Sequence, residues 1–104
     1  MLTMTVIAKV KPEKRQEFLR AINFLYSNRE EKKGVEKSIF YQEMNDPNSF
    51  RLVVELETQR DLETHIGAEK FSALLGALKI LCTTSQIRYS DLAENGTEVL
   101  EPQA

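Results

Sequence analysis

The chain holds no tryptophan, one histidine and one cysteine among 104 residues. A lone Cys82 excludes an internal disulfide, and one His with one Cys excludes a Cys/His zinc site and a Cys–His triad of any ordinary kind. No glycine-rich phosphate loop and no nucleophile elbow occurs, which removes the common nucleotide and hydrolase signatures. Only four glycines and three prolines are present, so fibrous and low-complexity classes are excluded. No apolar run reaches the length of a membrane span. The first eleven residues alternate in polarity and carry no basic start, so they read as a strand and not as a secretion signal. Neither charge dominates: 14 Lys and Arg stand against 16 Asp and Glu, for a net charge of −2. There is therefore no cationic footprint for nucleic acid or anionic lipid. A reducing cytoplasm is the expected setting, in which Cys82 is a buried, inert thiol and the sequon at Asn95-Gly96-Thr97 has no meaning.

What is present is a strong pattern. The composition, 41% hydrophobic and 29% charged, fits one globular domain that needs no metal or disulfide to fold. Leu2, Met4, Val6, Ala8 and Val10 alternate with Thr3, Thr5 and Lys9, which predicts a strand with one buried face. Ile7 makes the other face partly apolar. Pro12 opens a helix over 13–33 in which Phe18, Ala21, Ile22 and Leu25 recur at helical spacing, with the charged run Arg29–Lys33 solvated and Gly34 as its cap. Strands are predicted over 35–44 and 50–57, joined through the turn formers of Asn45–Ser49 as an antiparallel hairpin. Helices follow over 59–66 and 69–82, then a fourth strand over 83–92. The domain is thus expected to span 1–92, with 93–104 a loose tail lacking a core pattern.

This β-α-β-β-α-β order is the split pattern of a ferredoxin-like α+β fold, a four-stranded antiparallel sheet with its helices on one face. The uncovered face carries Thr3, Thr5, Ile7, Val53 and Glu55. Such a mixed, partly apolar surface is expected to pack against its own copy in a two-fold homodimer.

Few residues offer chemistry. His65 can hold or pass a proton near neutral pH, and it leans toward the apolar side of its helix. The plainer reading, favoured from the sequence alone, is a half-buried helical histidine bonded to a backbone carbonyl. Tyr41 offers a hydroxyl on the second strand, or plain aromatic packing. Asn23 and Tyr26 border the apolar stripe of the first helix. Either can project into a cleft between helix and sheet, although the surface is the expected place for Asn23 and the rim for Tyr26. Ala73, Gly76 and Ala77 form a small-residue patch that implies close helix–sheet approach or space for a ligand.

From Arg51 to Leu81 the chain runs from a strand into a short helix bearing His65, breaks at Gly67, and enters a second helix at Phe71. With the Asp46-Pro47 turn, this order resembles the antibiotic biosynthesis monooxygenase family of small dimeric α/β-barrel proteins. The resemblance implies a cofactor-independent monooxygenase with dioxygen as co-substrate and a small quinol or phenol as substrate, with His65 as the catalytic residue and Phe71 beside it in the pocket; Tyr41, Asn23 and Tyr26 are the further pocket residues expected from their places on strand and helix. It implies neither metal nor flavin. Where family members carry an acidic-x-aromatic strand motif, this chain has Val54-Glu55-Leu56; where many carry a second histidine, it has Lys70. The region of the first-strand asparagine is Thr5-Val6, and haem degradation is excluded. The alternative on the same fold is a non-catalytic ligand-binding or regulatory homodimer, and a third is an isomerase or decarboxylase with His65 as proton shuttle.

Overall fold

A computed structural model describes residues 2–26, 35–91 and 96–100. The alternation of the first segment becomes β1 (Leu2–Val10), with Leu2, Met4, Val6, Ala8 and Val10 all buried. A 3-10 turn over Pro12–Lys14 leads into α1 (Arg15–Tyr26), which buries Phe18, Ile22 and Leu25. Proline at the start of that turn costs no hydrogen bond, because the first helical amides lack partners. The expected continuation of the helix to Lys33, its charged end and the cap at Gly34 lie outside the described residues.

The hairpin is tighter than its turn formers suggest. Strands β2 (Val35–Glu43) and β3 (Asp46–Leu56) leave only Met44 and Asn45 between them. The Asp46 carboxylate accepts from the Asn48 amide at 3.0 Å and the Ser49 hydroxyl at 2.7 Å. Those bonds replace the connection expected over Asn45–Ser49, and a register shift between Gln42 and Glu43 absorbs the offset. They also hold the Asp46 carboxyl below its usual range, the Ser49 hydroxyl contributing most.

Thr58 caps α2 (Gln59–Ile66). Its hydroxyl accepts from the Asp61 amide at 3.1 Å, and the Asp61 carboxylate accepts from the Thr58 amide at 3.2 Å. This reciprocal box fixes where the helix begins, and so where His65 points one and a half turns later. After Gly67 the chain enters α3 (Glu69–Leu81), which buries Phe71, Leu74, Leu78 and Leu81. Strand β4 (Cys82–Asp91) follows without a loop, and the Lys11 amide donates to the Leu81 carbonyl at 2.9 Å to seal the junction.

The sheet order is β2-β3-β1-β4-β5, antiparallel throughout. Its first four strands have the ferredoxin-like arrangement predicted from the element order. The fifth, β5 (Gly96–Leu100), pairs with β4 inside the stretch for which no core pattern is visible. Residues 92–95 and 101–104 lie outside the described set.

The helices cover the face bearing Met4, Val6, Leu52, Val54 and Leu56, each nearly inaccessible to water. Fully burying such a side chain is worth about 1.5–3 kcal/mol. Cys82 is buried and free, and burial pushes its thiol up to about 11, with Lys11 only partly offsetting this. It is an inert core residue.

Candidate functional site

A cavity of about 500 Å³ lies between α1 and the strands β2 and β3. Leu19, Ile22 and Tyr26 wall it from the helix, and Phe40 and Leu52 from the sheet. Arg20, Asn23 and Ser38 supply its polar groups. Ser38 stands on the helix side of β2, opposite Val54 in register. A serine there fills little volume, which leaves room beneath α1. Phe18, Phe40 and Phe50 form one aromatic cluster, with ring centroids 5.2–6.2 Å apart. Arg15 straps the helix start to the hairpin, donating to the Pro47 carbonyl at 2.9 Å and to Gln42 Oε1 at 2.8 Å. The two devices hold helix and sheet at fixed separation around the cavity.

Tyr26 is the link between this cavity and the only histidine. Its hydroxyl lies 3.2 Å from His65 Nε2. His65 itself is only 9% exposed and does not line the cavity. The Phe71 ring meets the imidazole edge-on at 5.9 Å. Two tautomers give this pair different uses. With the proton on Nδ1, the phenol donates to Nε2. With it on Nε2, the ring donates to the phenol oxygen. Burial pushes the Tyr26 phenol well above its ordinary value, and neighbouring Tyr89 adds to this. The hydroxyl therefore stays protonated across the physiological range, fit to donate and to relay but not to act as a standing base.

Above the Tyr26 ring stands an ammonium. Lys70 Nζ is 4.2 Å from the ring centroid, within cation–π range. That atom is buried and has no hydrogen-bond partner among the described residues.

Of the residues singled out in the sequence, the fold brings together His65, Tyr26 and Phe71 by contact, and Tyr26 and Asn23 along the cavity wall. Asn23 is exposed, as expected, and also borders the cavity. Tyr41 does not join them. It pairs in register with Arg51 on the uncovered face and borders a second hollow of about 420 Å³, together with Lys9, Glu43 and Arg51. Phe71 packs behind His65 in the core and does not wall the cavity. Lys70, Ser38 and Phe40 were not picked out as site residues. Helical and strand phase place the last two with Ile22 and Leu52, but nothing local in the sequence shows Lys70 reaching Tyr26. Close helix–sheet approach does not explain Gly76, because a Cβ there would meet no atom within 4 Å. Among the described residues no three His, Cys, Asp or Glu side chains converge as a metal site.

Comparison with known proteins gives one family. The family model described as antibiotic biosynthesis monooxygenase matches residues 1–76. The fold is similar to the crystal structure of an antibiotic biosynthesis monooxygenase, with a TM-score of 0.77 at 18% identity, covering 88% of this chain and 97% of the other. It is also similar to a conserved protein from Methanosarcina mazei Go1, with a TM-score of 0.77 at 23% identity over 86% of this chain and 89% of that one. A candidate antibiotic biosynthesis monooxygenase from Nitrosomonas europaea gives 0.77 at 18% identity, covering 88% and 97%. At these identities the likeness is one of fold. No curated protein matches the chain.

Proposed function

The chain belongs to the antibiotic biosynthesis monooxygenase family, and on that premise we propose that it oxidises a small quinol or related phenol with dioxygen, using no bound cofactor, as a cytoplasmic homodimer. The observation that carries this reading is the Tyr26 hydroxyl, a cavity-wall group held 3.2 Å from a buried imidazole. A quinol seated in the cavity loses its phenolic proton through Tyr26 to His65. The resulting electron-rich ring reduces dioxygen and forms a carbon–oxygen bond. The oxygen–oxygen bond then breaks as water leaves, so one quinol and one dioxygen give one hydroxyquinone and one water. The apolar side chains beside the hydroxyl lower the local polarity, which strengthens the hydrogen bond to the developing enolate oxygen. The protein's share is positioning and proton movement, and the substrate supplies the electrons.

Homodimer formation is supported by the uncovered sheet face, where Thr3, Thr5, Ile7, Val53 and Glu55 are only half-buried in a single chain. Apolar side chains among them gain from a second copy.

Oxygen uptake tests the enzymatic reading. With a panel of reduced quinols, the wild type should exceed the uncatalysed rate, and His65→Ala should lower that excess by about 10²-fold or more. A wild type that consumes no oxygen above background with any quinol would remove the monooxygenase reading and leave a ligand-binding dimer.

A further inference from the structure

Lys70 is placed where its charge is hardest to keep. It is the second residue of α3, at the positive end of the helix dipole, where a cation is disfavoured. Its Nζ is buried and makes no hydrogen bond among the described residues. It stands over the Tyr26 ring face, 4.2 Å from the centroid. An ammonium with neither water nor a hydrogen-bond partner among the described residues is costly to bury, and a π face replaces only part of what is lost. The same ring that carries the ammonium walls the 500 Å³ cavity. A lysine stem has four flexible carbons, so the charge can turn past the ring edge toward a ligand lying against Tyr26.

We propose that Lys70 is a specificity-determining residue for an anionic ligand: the aromatic molecule taken by the cavity carries a carboxylate, which completes the coordination of the Lys70 ammonium beside the Tyr26 hydroxyl. The proposal rests on the reading of this cavity as the substrate site and names the charge its substrate carries. Arg20, on the same cavity wall, adds positive charge of the same sense. The uncharged polar groups Asn23 and Ser38 also line the cavity.

The experiment is calorimetric titration of the full chain under anaerobic conditions with three probes: gentisate, its methyl ester and unsubstituted hydroquinone. Gentisate should bind about tenfold or more tightly than the ester, the range expected for a charged hydrogen bond in a desolvated site. Lys70→Met should remove most of that preference, lowering gentisate affinity far more than ester affinity, and Lys70→Arg should retain most of it. Lys70→Met should also melt no lower than the wild type, because it removes an unpartnered buried charge. Equal affinity for gentisate and the ester, no binding of gentisate, or a preference that survives Lys70→Met largely intact would overturn the proposal. Because oxygen is absent, the charge preference is read independently of turnover. A protein that passes this test and consumes no oxygen loses only the monooxygenase reading.

Discussion

The two faces of the sheet solve different problems with neighbouring residues of the same strand. Val54 points under the helices and is fully buried, while Val53 points to the uncovered face and is half-buried. Under the helices the chain completes its own core, and the cavity it leaves is walled by Tyr26 with His65 behind it. On the other face lies a more polar hollow bordered by Lys9, Glu43 and Arg51, with Ile7 and Tyr41 beside it. Cavity and hollow are of similar size, yet only the first is connected to the sole imidazole. The proposed function places chemistry on the covered face and assembly on the open one.

Substitutions at the neighbouring valines give the sharpest contrast. Val54→Asp places an unpaired carboxylate in the core at a cost of several kcal/mol, a large part of the 5–15 kcal/mol that holds a domain together. It should be unfolded or insoluble, as circular dichroism would report. Val53→Asp should stay folded and convert a dimer into a monomer by light scattering. A folded Val54→Asp, or a Val53→Asp chain that remains dimeric, would break the division between the faces. Leu74→Ala, which empties a fully buried site in α3, should cost about 2–5 kcal/mol by denaturant unfolding without changing the oligomer. The smallest effect is of opposite sign. Gly76 lies inside α3 with free space at its Cβ position, so Gly76→Ala should stabilise by up to about 1 kcal/mol, seen as a rise of a few degrees in Tm. A lower Tm would show that the space is needed.

The core was legible because alternation states which side of β1 and β3 meets the helices. Every residue of the Leu2–Val10 and Phe50–Leu56 buried sets follows from period two. Strand β5 was not, since it adds main-chain bonds at a sheet edge and needs no apolar pattern to do so. The site was half legible. His65 is conspicuous as the one histidine, but its partner Tyr26 lies 39 residues earlier and meets it only through packing of α1 against the later helices. Tyr41 and Tyr26 look alike as aromatic hydroxyls. Register separates them, because Tyr41 sits opposite Arg51 and Phe40 opposite Leu52, on alternate faces. Lys70 reads in the sequence only as a residue standing where a histidine is common. Its burial over an aromatic ring depends on side-chain conformation across two helices, which no local pattern encodes.

The pairing of Tyr26 with His65 is tested most directly by a double-mutant cycle on kcat/KM for oxygen uptake with the best quinol. Tyr26→Phe keeps the ring and removes the hydroxyl that joins cavity to imidazole. If proton movement runs from ligand through Tyr26 to His65, each single variant should lose most of the rate. The double variant should then lose little more than the worse of the two, since both remove the same path. Losses that multiply, or a Tyr26→Phe enzyme as fast as the wild type, would contradict the relay and leave His65 without a route to the substrate.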